Sequence, residues 1–87
     1  MRTTLDLLAR ALEDQTNTSL SFKLNVRVNV FSKVRERGRL PPVLAARIAE
    51  LLDEDVKHWI AIAALEAERP SPVRDGLLRR VRHARHQ

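Results

Sequence analysis

The sequence predicts an all-α fold of five to six short helices. Glycine occurs only twice in 87 residues, and alternating strand-like stretches bounded by hairpin signals are nearly absent. Apolar residues instead recur at three- and four-residue spacing between segments that carry helix caps or prolines. A chain of this length forms one core. We therefore expect a small helical bundle over residues 1–69 and a helical extension over residues 70–87.

Helix caps delimit the first two helices. Thr3 and Asp6 have the spacing of a capping box, which predicts that the first helix begins there. The second helix is predicted over residues 17–24, with Thr16 as its N-cap. Asn25 follows it, and asparagine is one of the few residues besides glycine that tolerates a left-handed turn.

The third helix is predicted from about Arg27 to Arg37, with its end near Gly38. Residues 26–31 alternate between apolar and polar side chains, so a strand is the local alternative. The short helix and turn that precede this segment favour the helix.

Prolines and acidic residues separate the remaining helices. The two prolines of segment 41–42 suit the start of a fourth helix that runs to about Leu52. The acidic cluster 53–55 precedes a fifth helix, which Pro70 stops. Segment 71–72, a serine followed by a proline, is a typical start for a sixth helix, which is basic and amphipathic.

Basic residues concentrate towards both ends of the chain. Residues 1–40 hold eight basic and four acidic side chains, residues 41–69 hold three and six, and residues 70–87 hold five and one. The formal net charge is +5. Most of the first excess lies between Lys23 and Arg39. This distribution favours binding to a polyanion.

The sequence carries no pattern typical of enzymes, metal sites or membrane spans. Cysteine is absent, which excludes disulfides and thiolate ligands and makes the cytoplasm the default compartment. No apolar run approaches the roughly 20 residues that cross a bilayer. His83 and His86 lack a third ligand nearby in sequence. No nucleophile–base pattern or phosphate-binding glycine loop is present, so we expect no catalysis, cofactor, metal or small-molecule substrate.

Residues 20–26, Leu-Ser-Phe-Lys-Leu-Asn-Val, resemble the helix-turn-helix of Cro and lambda-repressor-type regulators. That family has a leucine, a small residue, two variable positions, a leucine, a turn residue and an apolar residue in this order. Phe31 matches the buried position of the recognition helix, and the Leu-Pro pair at 40–41 matches the pair that opens the next helix. Over residues 4–69 the chain resembles in particular the small repressor-like proteins of filamentous phages and integrated elements.

The resemblance implies a sequence-specific, dimeric transcriptional regulator of repressor type that binds double-stranded DNA. Its third helix would enter the major groove, where residues near the helix start meet base edges. The implied base contacts are Arg27, Val28, Asn29, Ser32 and Lys33. Among these, asparagine suits adenine and valine suits a thymine methyl group.

The implied phosphate contacts are Asn17, Arg35, Arg37 and Arg39. The three arginines follow the start of the recognition helix and would displace counterions from the DNA. Asn17 stands near the start of the second helix, where the family carries a glutamine that contacts phosphate. Helix capping is the alternative role for this asparagine.

The C-terminal half is the expected dimer interface. The fifth helix is apolar over a broad face, and its Trp59 either packs in the core or faces a second subunit. Leu77 and Val81 on the sixth helix are the other expected contacts. The sixth helix packs on the body of the protein or on a partner, contacts the DNA backbone, or lies on an anionic membrane.

Three positions depart from the family pattern. Val34 stands where a tryptophan is often found, Gly38 comes one place late, and Val28 replaces a polar residue. These differences favour a second hypothesis, a phage-encoded module that keeps the fold but binds and modulates a host protein instead of DNA. General RNA binding is a third hypothesis, which is weakened by the three aromatic residues, too few for a stacking platform.

Overall fold

In the computed structural model, which describes residues 3–84, the chain forms six α-helices and no strand within that range. The helices are α1 (Thr4–Ala11), α2 (Asn17–Leu24), α3 (Val30–Arg37), α4 (Pro42–Leu51), α5 (Val56–Ala67) and α6 (Pro72–Ala84). The predicted all-α bundle of short helices is confirmed. Each helix in this range is too short or too polar to span a bilayer. The expectation about His86 concerns a residue outside the described range.

Side-chain caps start four of these helices where the sequence predicts them, including α5, where the Asp55 carboxylate accepts the His58 N–H at 3.2 Å. The Thr3 hydroxyl accepts the Asp6 N–H at 3.1 Å, and the Asp6 carboxylate accepts the Thr3 N–H at 3.1 Å, which completes the capping box. Thr16 and Ser71 each accept the N–H three residues later, at 3.1 and 3.0 Å. Each cap stabilises its helix by about 1 kcal/mol.

Left-handed residues end α2 and α4. Asn25 has a φ of 58°, and the next N–H, that of Val26, donates to the Ser21 carbonyl oxygen at 3.0 Å. The Asn25 N–H donates to the Phe22 carbonyl oxygen at 3.2 Å, and the two bonds form a Schellman motif, which satisfies the last carbonyl groups of the helix. The predicted left-handed turn at Asn25 is confirmed. Asp53 repeats this geometry after α4, with a φ of 57°.

The start of α3 differs from the prediction. The helix begins at Val30, three residues later than expected, and residues 25–29 form a connection that is neither helix nor strand. The Schellman motif uses the N–H of Val26 and turns the chain at Asn25, so no helix can continue directly from α2. The sequence before α3 also lacks a side-chain cap, because Asn29 makes no capping hydrogen bond.

Helices α4 and α5 form the most extensive helix pair and the centre of the core. The largest completely buried apolar side chains are Leu7, Leu20, Phe31, Leu40, Ile48, Trp59 and Ile62. The assignment of Trp59 to the dimer interface is therefore corrected. Its side chain is 0% exposed, because α5 turns its tryptophan towards the other helices, and its indole N–H donates to Glu54 at 3.5 Å.

A buried polar network ties the segment after α3 to α1 and α5. The Thr4 hydroxyl donates to the Glu66 carboxylate, which also accepts the Thr4 N–H at 3.0 Å. The same hydroxyl accepts the Leu40 N–H at 2.9 Å. Because Thr4 is completely buried, loss of its hydroxyl would leave buried polar groups without partners.

Candidate nucleic-acid interface

One side of α3 is exposed and polar, and we call it the outer face of α3. It consists of Asn29, Ser32, Lys33, Glu36 and Arg37, which are all exposed. Residues three and four apart share one side of a helix, so these five positions form a single stripe. The opposite side carries Phe31 and Val34, which are 0% and 3% exposed. The core therefore holds α3 firmly and leaves its outer face open.

The five residues expected to contact bases lie at or just before this face. Asn29, Ser32 and Lys33 belong to the outer face, whereas Arg27 and Val28 are exposed on the connection that leads into it. Backbone hydrogen bonds fix this connection. The Val30 N–H donates to the Arg27 carbonyl oxygen at 3.0 Å, and the next N–H donates to the Val28 carbonyl oxygen at 3.3 Å.

The polar groups of the outer face have few partners within the protein. The Asn29 amide makes no capping hydrogen bond, and Lys33 forms no ion pair within residues 3–84. Both side chains keep their hydrogen-bonding capacity for a ligand. Glu36 lies three residues after Lys33 and is the one acidic side chain of this face, where it lowers the local positive potential.

The three arginines expected to contact phosphates separate into two locations. Arg37 ends α3, Gly38 turns the chain with a φ of 80°, and Arg39 follows half-buried. Arg35 precedes Arg37 by two residues, which in a helix is a rotation of about 200°. It lines a shallow groove against α1 instead. The α1 side of this groove is Leu5, Leu8, Ala9 and Leu12.

Asn17 is the first residue of α2 and is half-buried. Its carbonyl oxygen Oδ1 is buried and has no hydrogen-bond partner within the described residues. Thr16, not Asn17, supplies the cap of α2. The capping role is thus taken by the neighbouring threonine, and the expected phosphate contact of Asn17 stays a prediction.

The residues expected at a dimer interface differ in their exposure. Leu77 is 41% exposed, whereas Val81 is half-buried against the core. Leu77 lines an open groove of about 450 Å³ between the end of α5 and the start of α6. Leu65 and Val73 line the same groove, and Val73 is 74% exposed. An apolar surface therefore exists at α6, but Trp59 does not contribute to it.

The sequence analysis missed that α6 lies beside the segment after α3. Arg79 and Arg82 line the same groove as Arg37 and Arg39, although the two pairs are about forty residues apart in sequence. The three-residue spacing of Arg79 and Arg82 was a signal that both share one side of α6. Their approach to α3 had no such signal, because it depends on how α6 packs.

Comparison of the chain with protein-family models, with curated proteins and with solved structures found no match. The geometry of the described residues therefore supplies the argument for function.

Proposed function

We propose that this protein is a sequence-specific, double-stranded DNA-binding regulator of transcription, of the type found in phages and mobile elements. It acts in the cytoplasm without cofactor or metal and catalyses no reaction. The single observation that carries the proposal is the outer face of α3. It is an exposed polar stripe on a short helix whose opposite side is fully engaged in the core.

In this proposal α3 enters the major groove, and the N-terminal residues of its outer face, Asn29, Ser32 and Lys33, contact base edges. The Asn29 amide can donate to and accept from adenine, and Lys33 can donate to guanine. Val28, 47% exposed, can pack on a thymine methyl group. Arg27 and Ser32 complete the base contacts at the N-terminal end of the helix, which is the end that such motifs direct at the bases.

Phosphate contacts on either side hold α3 in register. Arg37 and Arg39 contact the backbone beyond the C-terminal end of α3, and Asn17 contacts it at the start of α2 together with the N–H groups of the first helical turn. Arg35 leaves the proposed phosphate set because it projects towards α1.

The regulator binds as a homodimer in this proposal. One α3 reads too few base pairs for useful specificity, whereas a twofold dimer doubles the site and spaces its halves about one DNA turn apart. Leu77 and Val73 provide the exposed apolar surface for this contact. The half-buried Val81 supports α6 from beneath.

One observation favours the second candidate function, binding to a host protein. Phe22 on α2 is 81% exposed, and a single exposed aromatic ring is a typical anchor at protein interfaces. Glu36 on the outer face of α3 would also repel a DNA phosphate. A protein partner would accommodate both groups.

Selection of bound sequences from a random duplex pool tests the proposal. We expect enrichment of a near-palindrome with half-sites about 10 base pairs apart. Lys33→Gln should lose about 1–3 kcal/mol of discrimination between this site and random DNA. The matched control is Lys57→Gln, which removes the same charge from an exposed position on α5 and should keep the discrimination. Absence of an enriched sequence, together with equal behaviour of the two variants, rejects the proposal.

A further inference from the structure

A basic groove lies between α6 and the segment that follows α3. Its volume is about 550 Å³, within the range of pockets that hold small ligands. We call it the arginine groove. It is lined by five arginines, Arg37, Arg39, Arg74, Arg79 and Arg82.

The acidic residues of the arginine groove are already used by the fold. Glu66 accepts two hydrogen bonds from Thr4 at the start of α1. Asp75 accepts from Arg74 at 3.0 Å, and the Arg74 side chain also donates to the Leu65 carbonyl oxygen at 3.0 Å. Arg74 thereby has a structural role, since it attaches α6 to the end of α5.

Three arginines of the groove have no ionic partner among the described residues. Arg37, Arg39 and Arg79 form no ion pair within residues 3–84. Arg37 is the last residue of α3, Arg39 lies in the segment after it, and Arg79 belongs to α6, so they approach the groove from separate parts of the chain. The five arginines outnumber the two acidic side chains of the groove, and a concave surface with such an excess of one sign of charge attracts a counterion of opposite charge.

The backbone around the groove is held in place without any ligand. Gly38 turns the chain between Arg37 and Arg39 with a φ of 80°, and the next N–H, that of Leu40, is bonded to the buried Thr4 hydroxyl. Leu78, 5% exposed, fixes the register of α6. The backbone that carries these arginines therefore needs no ligand to hold it, and the ordering cost of binding is confined to the arginine side chains.

We infer that the arginine groove is a binding site for an anion with two or more adjacent phosphate groups. The guanidinium fork matches phosphate oxygens in a bidentate geometry, and several forks in one groove suit several phosphates. The phosphates can come from a free oligophosphate compound or from consecutive positions of a DNA strand. Arg37 and Arg39 are also proposed above to contact DNA phosphates, so a DNA source of the phosphates rests on the proposed function, whereas binding of a free oligophosphate does not.

The test measures binding of inorganic tripolyphosphate to the full chain by calorimetry at constant ionic strength. Arg79→Gln should weaken binding roughly tenfold or more, the effect of losing one charge-assisted hydrogen bond. The matched control is Arg80→Gln on the same helix. It removes the same charge from an exposed position outside the groove and should change the affinity less than about twofold. Arg39→Gln and Arg35→Gln form a second pair with the same expected contrast.

A second arm identifies the source of the phosphates. The salt dependence of binding to a 20-base-pair duplex is measured for both α6 variants. A slope that falls by about one unit for Arg79→Gln alone assigns the groove to the DNA backbone. An unchanged slope, with the tenfold loss for tripolyphosphate, assigns it to a free oligophosphate. Tripolyphosphate binding without duplex binding rejects the proposed function and leaves this inference intact. If Arg79→Gln and Arg80→Gln change the binding of tripolyphosphate and of the duplex equally, the inference of a phosphate site in the arginine groove is overturned.

Discussion

Helices α3 and α6 are both rich in basic residues, yet the protein holds them in different ways. Phe31 and Val34 of α3 are buried at 0% and 3% exposure, whereas Leu78 is the one buried apolar residue of α6 among those described. The remaining attachment of α6 includes the hydrogen bond from Arg74 to α5. Each fully buried large apolar side chain contributes about 1.5–3 kcal/mol, so completely buried side chains anchor α3 more than α6, whereas α6 is attached mainly by packing along α5.

This difference matches the two roles that we propose. Reading base edges needs side chains held within about half an ångström of their target positions, which requires a helix locked into the core. Binding phosphates relies on long-range attraction and tolerates some movement. The same kind of charge thus serves specificity on α3 and affinity on α6.

The largest expected effect comes from removing the anchor of α3. Phe31→Ala should lower the free energy of unfolding by about 3–5 kcal/mol, because it deletes a completely buried ring. Leu78→Ala should cost about 2 kcal/mol and act mainly on α6. Urea titrations followed by circular dichroism and by the fluorescence of Trp59, the single tryptophan, measure both effects. Because Trp59 lies in the core, its transition should shift far more for Phe31→Ala. If both variants shift the Trp59 transition equally, α3 and α6 do not differ in how they are attached to the core.

A smaller effect is expected from the polar network behind α3. Thr4→Val keeps the side-chain volume but deletes the hydroxyl that accepts the Leu40 N–H and donates to Glu66. The variant should lose about 1–3 kcal/mol of stability, the cost of an unsatisfied buried polar group. Thr18→Val on the exposed side of α2 is the control and should stay within about 0.5 kcal/mol of the original chain. If the two variants are equally stable, the network does not hold the segment after α3.

Local signals in the sequence were sufficient for most helix boundaries. The caps at Thr3, Thr16 and Ser71 act over three residues, so their geometry can be predicted without knowledge of the rest of the fold. The predicted start of α3 at about Arg27 was wrong, because Asn29 supplies no side-chain cap that would mark the helix start in the sequence. The start of α3 at Val30 depends instead on the burial of Phe31 in the core, which is a tertiary effect.

The candidate interface was only partly predictable for the same reason. Helical periodicity showed which residues share a face with Trp59, but it could not show that other helices cover the Trp59 side chain completely. The arginine groove depends on the packing of α6 beside the segment after α3. Contacts across such a long sequence separation leave no pattern in a single sequence. Arg35 and Arg37 look equivalent in the sequence, and only the helix rotation separates them.

The central claim is that the outer face of α3 binds duplex DNA. The most direct measurement is a titration of the ¹⁵N-labelled protein with duplex DNA of the selected sequence, followed by amide chemical shifts. We predict that the largest shifts occur at residues 29–37 and at the start of α2, with smaller shifts at α6 and almost none on α5. Shifts that centre on Phe22 or on Leu77 and leave residues 29–37 unchanged would contradict the claim.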